Sequence, residues 1–330
     1  MTAGTPPVRR VLNERHDPRD RVPTSAELDA PLERRGRRAV TIHVGSLAIE
    51  LSGLDAGAAD LVESHYDGFV AGSGDESTLG RGSRRCTIEV VRSTFPHWLY
   101  LPRGEGKAEE ARVGAAAMGS RFGLWSYFFA GRFDRDGRTG RLLLCDSADL
   151  DLGQAIENYL RFLVATAALA EGGFVLHSAA VIRNGRSWLF FGPSGAGKST
   201  TASHAPADSV LLGDDLILVE PRRGGWHACG VPFRGSFRSG RNASASAPIG
   251  MACRLVQAES NSLATMPLSV QAAEVLGEVP FLMDDAELRE RAATSVEGFV
   301  RAVKVRRLGL RRDGSYWSLL DAEASGGAAS

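Results

Sequence analysis

The sequence predicts an α/β protein, α+β overall, in which a smaller α+β unit precedes a larger α/β unit. Three observations predict it. The chain has 330 residues, about two domains' worth, and 43% of them are hydrophobic, enough for sizeable cores. Strand-length apolar runs separated by turn residues dominate its first half. A long helical stretch then leads to a strand, a glycine-rich turn and a short helical segment between Trp188 and Ser203.

Residues 1–38 are rich in Arg, Asp, Glu and Pro and lack apolar periodicity, so they read as a disordered arm. Arg34, Arg35, Arg37 and Arg38 close it with a basic cluster, which fits either a solvated run or a contact with an anionic partner. Order starts near Ala39 and opens an α+β domain over 39–150. Val40–Val44 and Leu47–Leu51 flank Gly45-Ser46 as a hairpin, and Ala58, Leu61, Val62 and Tyr66 have helical spacing within Ala56–Phe69. Gly72–Arg85 reads as a polar loop. Cys86–Val91 and Trp98–Leu101 read as strands, and Leu124–Cys145 as a long hairpin with Asp136-Gly137 near its turn. No catalytic constellation stands out in this domain.

Asp151–Ala170 is the clearest helix: Ile156, Tyr159, Leu160, Leu163 and Val164 fall near one face, and Gly172-Gly173 stops it. The boundary is placed here, with a second domain over 151–325 and a tail at 326–330. Phe174–Ile182 reads as a strand that Asn184-Gly185 turns into Trp188–Phe191, so the strand before the glycine turn has an antiparallel neighbour. Val210–Leu212 and Leu216–Val219 flank Gly213-Asp214-Asp215, and Trp226–Val231 follows a turn. Pro232–Pro248, with Arg234, Arg238 and Arg241, reads as a mobile loop. Met251–Gln257 is a further strand, and helical stretches lie within Leu268–Leu276 and Asp285–Val303. Lys304–Arg311 reads as a late strand and Tyr316–Leu320 as a closing helix.

Lys+Arg and Asp+Glu are both 39, a formal net charge of zero, which removes any general electrostatic argument for nucleic acid or an anionic membrane as partner. Cys86, Cys145, Cys229 and Cys253 form no C-x-x-C pair, so buried free thiols in a reducing compartment are expected rather than a zinc site or disulfides. Met1–Asp20 lacks the apolar core of a signal peptide. Leu160–Ala170, the most apolar helical stretch, is too short to span a bilayer and contains Arg161. A cytoplasmic protein without membrane attachment is expected, and homo-oligomer formation is left open.

The run Gly192-Pro193-Ser194-Gly195-Ala196-Gly197-Lys198-Ser199-Thr200 fits the phosphate-loop pattern G-x-x-x-x-G-K-[ST] at every fixed position. Gly192, Gly195 and Gly197 permit backbone conformations a Cβ would penalise, so that N–H groups from Ser194 to Thr200 can converge on an anion. Lys198 supplies a point charge for the β- and γ-phosphates of ATP, and Ser199 a hydroxyl for Mg²⁺. The apolar strand before the loop and the helical stretch after it are the context the motif requires. Asp214-Asp215, set between two apolar runs, would repel and suffer desolvation without a compensating cation. One aspartate can orient a metal and the other accept a hydroxyl proton; Gly-Asp-Asp also fits an ordinary turn. His177, on the strand paired with the loop-bearing strand, fits either a donor near the phosphates or a structural histidine. Arg234, Arg238 and Arg241 fit either phosphate contacts or solvent exposure.

In that order, His177, Gly192–Ser199 and Asp214-Asp215 resemble the HPr kinase/phosphorylase family and its P-loop relatives. The resemblance covers roughly Phe174–Val219 with good specificity and the rest of the C-terminal half more weakly. It implies a P-loop kinase fold shared with phosphoenolpyruvate carboxykinase, in which ATP phosphorylates a serine hydroxyl. Asp215 would then be the base, Asp214 would assist metal and base, and His177 would support the phosphate or Asp215. Lys198 would act on the transferred phosphate, and Arg234 would bind phosphate. The chain departs from the family in three ways. Ser178 replaces the glycine after the histidine, Val231-Pro232-Phe233 precedes Arg234-Gly235 without a glutamate, and no recognition loop for a small carrier protein can be matched. It resembles divergent members similar to peptide-modifying kinases more than the carbohydrate regulator. The expected activity is transfer of the ATP γ-phosphate to a hydroxyl, serine foremost, of a peptide, protein or small molecule. A non-catalytic ATP sensor or scaffold, or a simple ATPase, is the alternative.

Overall fold

The computed structural model describes residues 20–30, 36–70, 84–93, 113–146, 151–233, 243–311 and 313–326. The chain divides into two compact units. One runs to Val164 and takes in Met283–Ala286; the other holds Ala165–Leu282 and the residues from Glu287 onward. The division falls inside the helix predicted at 151–170, later than the expected boundary at 150. Among the described residues no helix is long and apolar enough to cross a membrane.

The first unit opens with a short helix, α1 (Ser25–Asp29), within the stretch expected to be a disordered arm. Thr24 and Glu27 form a reciprocal capping box at its start: Glu27 N–H donates to the Thr24 hydroxyl at 3.2 Å, and Thr24 N–H donates to the Glu27 carboxylate at 2.8 Å. Leu28 is buried with Val91, Trp125, Ala130 and Leu143. That one apolar anchor, with its cap, overrides the polar composition that predicted disorder. Residues 1–19 and 31–35 of the arm lie outside the described residues.

Seven strands follow: β1 (Arg38–Val44), β2 (Leu47–Leu54), β3 (Arg84–Ser93), β4 (Gly114–Met118), β5 (Arg121–Trp125), β6 (Phe129–Asp134) and β7 (Thr139–Cys145). Among the described residues they form one mixed sheet in the order β1-β2-β3-β7-β6-β5-β4. The β2–β3 and β3–β7 pairs are parallel and the others antiparallel. The hairpin about Gly45-Ser46 forms as predicted. The long hairpin predicted over 124–145 is β6–β7, turning at Asp136-Gly137, with β5 and β4 added as a second hairpin. Ala115-Ala116-Ala117 in β4 carries no alternation, so that strand gave no pattern to read. Trp98–Leu101, predicted as a strand, lies outside the described residues. Helix α2 (Ala56–His65) is capped by Asp55, whose carboxylate accepts from Ala58 N–H at 2.8 Å. Tyr159 of α3 (Leu152–Ala170) is fully buried and donates from its hydroxyl to the Arg132 carbonyl at 2.8 Å.

The second unit is built on β8 (Phe174–Arg183), β9 (Arg186–Phe191), α4 (Lys198–Ser203), β10 (Val210–Gly213), β11 (Leu216–Arg222), β12 (Gly225–Cys229), β13 (Ser246–Gln257), β14 (Ser262–Thr265), α5 (Leu268–Leu276), α6 (Ala286–Ala302), β15 (Val305–Leu310) and α7 (Tyr316–Gly326). Among the described residues its strands form an eight-stranded mixed sheet in the order β10-β8-β11-β12-β13-β15-β14, with β9 joined to both β8 and β13. Asn184 and Gly185 take φ values of 51° and 70°, the left-handed pair that a tight two-residue hairpin needs. On one face, Trp188 and Phe190 of β9 pack with Met251, Cys253 and Leu255 of β13 and with Tyr316, Trp317 and Leu320 of α7. Phe174, of opposite parity on β8, stacks edge-on against Phe299 of α6 at 5.4 Å. Burying each such side chain contributes on the order of 2–3 kcal/mol. The architecture is thus mixed α/β, as the fold class predicted, and both of its sheets are mixed. The four cysteines are free and buried, also as predicted; burial pushes the Cys86 thiol up to about 11 and the Cys253 thiol to about 12.

Candidate functional site

The glycine loop begins where β9 ends. Leu189, Phe190 and Phe191 are fully buried, and β9 is hydrogen-bonded on both edges, antiparallel to β8 and parallel to β13. The chain leaves this fixed strand through Gly192, Gly195 and Gly197, at φ 146°, 79° and 106°. These are backbone shapes that only glycine adopts readily, as the motif requires. A Cβ on Gly192 would lie 2.8 Å from Nη1 of Arg254 and 3.2 Å from Cβ of Ala196, so that position is closed sterically as well. Ala196 N–H donates to the Pro193 carbonyl at 3.0 Å, and Gln257 Nε2 donates to the Gly195 carbonyl at 2.9 Å, tying the loop to the end of β13. Pro193, Ser194 and Gly195 stay exposed at the tip.

Helix α4 starts at Lys198, with Gly197 as its left-handed N-cap. Lys198 is only 8% exposed, and its ammonium donates to the Gly192 carbonyl at 2.7 Å. Burial lowers its affinity for a proton and nearby Arg254 lowers it further, while Glu278 and Asp215 act in the opposite direction. Ser199 and Thr200 are half-buried on the first turn, and Thr201 is buried beneath them. Tyr316 of α7 donates its hydroxyl to the Thr201 carbonyl at 2.9 Å and so fixes the helix from below.

Asp214 and Asp215 do not form a turn between strands that fold back on each other. Both β10 and β11 run antiparallel to β8: β10 lies opposite Ala180–Ile182 and β11 opposite Phe174–His177. Because β9 occupies the other edge of β8 from Ser178 onward, β10 and β11 share one edge. The aspartates fill the break between them, opposite Ser178 and Ala179, and Ser178 N–H donates to the Asp215 carbonyl at 3.1 Å. Ser178 also pairs with Phe191, the last residue before the loop. The acid pair and the loop entrance therefore flank one residue of β8, two strand spacings or about 10 Å apart. Asp214 is 5% exposed; the Asp215 side chain, at 29%, opens to solvent.

His177 joins this group. Its Nε2 lies 3.5 Å from Asp215 Oδ1 and its Nδ1 lies 3.4 Å from Glu278 Oε2. The structure thus gathers His177, Lys198 and Asp215 beside the loop of Gly192–Thr200, with Asp214 buried next in the chain. Arg234, predicted as a phosphate ligand, lies outside the described residues, as do Arg238 and Arg241. Two residues of the group went unnoticed in the sequence. Arg254 is a single charge in the apolar run Met251–Val256, and that anomaly was a usable signal. Its Nε donates to Glu274 Oε2 at 2.6 Å and its Nη1 to the Leu255 carbonyl at 2.7 Å. Glu278 follows the glycine that ends α5, where an acid carries no pattern of its own.

Among the described residues no three His, Cys, Asp or Glu side chains are grouped to hold a metal ion. The donors that suit Mg²⁺ are one hydroxyl at the start of α4, Ser199, and one buried acid, Asp214. Such a set suits an ion that arrives with a nucleotide better than one held by protein alone. No curated protein matches the chain. The family model of the SynChlorMet cassette protein ScmC matches residues 143–323, more than half of the chain and a stretch that holds every residue of this site.

Proposed function

The chain belongs to the ScmC family, and from that premise we propose that it is an ATP-dependent phosphotransferase acting on a hydroxyl, serine foremost, of a peptide, protein or small molecule. One observation carries the reading: the phosphate loop and the Asp214–Asp215 break flank the same residue of β8, with Lys198, His177 and Asp215 facing a common space. A phosphate-binding loop alone supports nucleotide binding. A partly exposed carboxylate beside it supports transfer, because an attacking hydroxyl must lose its proton. The order His177, loop, acid pair further supports a P-loop kinase fold of the HPr kinase type.

In this reading the loop N–H groups and Lys198 hold the β- and γ-phosphates. The acceptor oxygen forms a bond to the γ-phosphorus as the bond to the β,γ-bridging oxygen breaks, and ADP carries that oxygen away. Asp215 takes the hydroxyl proton. Ser199 and Asp214 would hold Mg²⁺, which neutralises charge on the phosphate oxygens when bound. Binding and positioning supply most of the effect in such transfers.

The test is transfer of labelled γ-phosphate, in the presence of Mg²⁺, to a panel of peptides and free hydroxy compounds. Asp215→Asn should lower the transfer rate by about 10²–10⁴-fold while retaining nucleotide binding. Unimpaired transfer by that variant removes Asp215 as base. ATP binding with no transfer to any acceptor points to a sensor or scaffold, and phosphate release without an acceptor points to an ATPase.

A further inference from the structure

The residue that sequence patterns passed over, Glu278, occupies a defined place in this site. We propose that Glu278 is a positioning residue that fixes the His177 imidazole against Asp215. The inference rests on the phosphotransferase reading above and adds to it a third acid, just beyond the end of α5.

The backbone of Glu278 is fixed twice. Its N–H donates to the Val275 carbonyl at 3.1 Å, and its carbonyl accepts from His177 N–H at 2.9 Å. The end of α5 is thereby pinned to β8 at the histidine itself. From that anchor the Glu278 carboxylate reaches Nδ1 of the ring at 3.4 Å, while Asp215 faces Nε2 at 3.5 Å. The two ring nitrogens lie on different edges, so the imidazole is held from both. A carboxylate only accepts hydrogen bonds, so Glu278 favours a proton on the Nδ1 it faces, as Asp215 does on Nε2. Contacts of this length shorten when a substrate completes a site.

Exposure sorts the roles. Glu278 is 14% exposed, whereas Asp215 and His177 are 29% and 38% exposed. An incoming acceptor therefore meets Asp215 and His177, and Glu278 reaches it through the ring, while its charge also acts on Lys198. One turn earlier on α5, Glu274 binds Nε of Arg254, whose Nη1 borders Gly192. One acid on the last turns of α5 and one just beyond its C-cap thus brace both flanks of the site. A merely structural role for Glu278 would be served by its backbone bonds, which a change of side chain leaves in place.

Glu278→Gln, His177→Asn and the double variant separate these roles. Each would be measured for kcat, KM for ATP, Mg-ATP affinity and Tm. We expect Glu278→Gln to lower kcat about 10–100-fold, with KM for ATP within twofold and Tm nearly unchanged. The double variant should lose no more than His177→Asn alone, because Glu278 works through the ring. Undiminished kcat in Glu278→Gln, or losses that multiply in the double variant, overturns the proposal. If the wild-type protein transfers no phosphate, the phosphotransferase reading fails on its own, and the ring still reports. In ¹⁵N-detected spectra of the wild-type protein, His177 should carry a proton on Nδ1, and Glu278→Gln should move the Nδ1 signal. Identical His177 ring signals in the two proteins overturn the positioning role whatever the activity.

Discussion

Replacing Lys198 by Met separates the grip on nucleotide from the stability of the fold. The ammonium is almost fully buried, and burial is the first reason its proton affinity falls below that of a free lysine, near 10.5. A folded value below the unfolded one means that the fold disfavours the charged form. That penalty is fully present below the folded value and disappears above the unfolded one, so at neutral pH the charge destabilises the protein. Met keeps most of the apolar stem and removes the penalty. It also removes the 2.7 Å hydrogen bond to the Gly192 carbonyl, and a bond from a charged donor contributes about 1.5–3 kcal/mol. The terms oppose each other, so net destabilisation should stay under about 2 kcal/mol, a fall in Tm of less than about 8 °C for a unit of this size. Against nucleotide nothing offsets the loss. A charge-assisted contact to phosphate is lost outright, which at about 1.5–3 kcal/mol weakens Mg-ATP binding roughly 10–150-fold. Calorimetric titration and thermal melting of the same preparation measure both quantities. A variant that melts normally and binds Mg-ATP as tightly as wild type would refute the assignment of the loop.

Glu157 predicts an acid-dependent loss of stability in the first unit. Burial pushes its carboxyl up, but His65 and Arg161 more than offset this and leave the value below the ordinary 4.5. A depressed folded value stabilises above the unfolded one and loses that contribution as pH falls through the folded one. Glu157→Gln should be about 1–3 kcal/mol less stable at pH 7, with the gap closing below about pH 4; parallel stability curves contradict this. Leu28→Ala should destabilise the first unit by about 2–5 kcal/mol in calorimetric melts without altering Mg-ATP affinity, and an unchanged Tm would show that α1 is not part of that core. Gly192→Ala, at φ 146° and 2.8 Å from Arg254 Nη1, should weaken Mg-ATP binding at least about tenfold, since the loop must move. Gly185→Ala, at φ 70° with nothing within 4 Å, should cost about 1 kcal/mol of stability and leave binding unchanged. Equal effects of the two on binding would remove the case for a shaped loop.

What could be read from the sequence was what local chemistry determines. The phosphate loop needs glycines at set positions, and Gly192, Gly195 and Gly197 all take positive φ. Asn184-Gly185 specified a tight hairpin, and the apolar face of α3 specified a buried helix. Non-local effects were hidden. Leu28 docks on residues 63 to 115 positions away, from Val91 to Leu143, so composition alone assigned its segment to disorder. Arg254 reaches the loop because β13 runs parallel to β9, with Arg254 opposite Phe191, a pairing that no turn between them announces. Glu278 joins His177 across about a hundred residues through one backbone hydrogen bond. Asp214-Asp215 was legible as chemistry but ambiguous as structure, because Gly-Asp-Asp is equally at home in a hairpin turn.

The register of β8 explains how these distant pieces become one site. A strand has two edges, and here each carries a different half of the chemistry. β9 on one edge leads into the glycine loop, and the β10–β11 line on the other carries the acids. A slip of one residue on either edge would turn every side chain of that strand to the opposite face. The loop is protected from this by the two-residue turn at Asn184-Gly185, and the acids by the antiparallel pairs on both sides of their break. The register is the same on either side of the aspartates, with Gly213 opposite Ala180 and Leu216 opposite His177, so the pair keeps its place along β8. Ser178 lies between the two edges. It is fully buried, its N–H is committed to Asp215 and its partner is Phe191. The residue after His177 thus joins the two edges through its backbone.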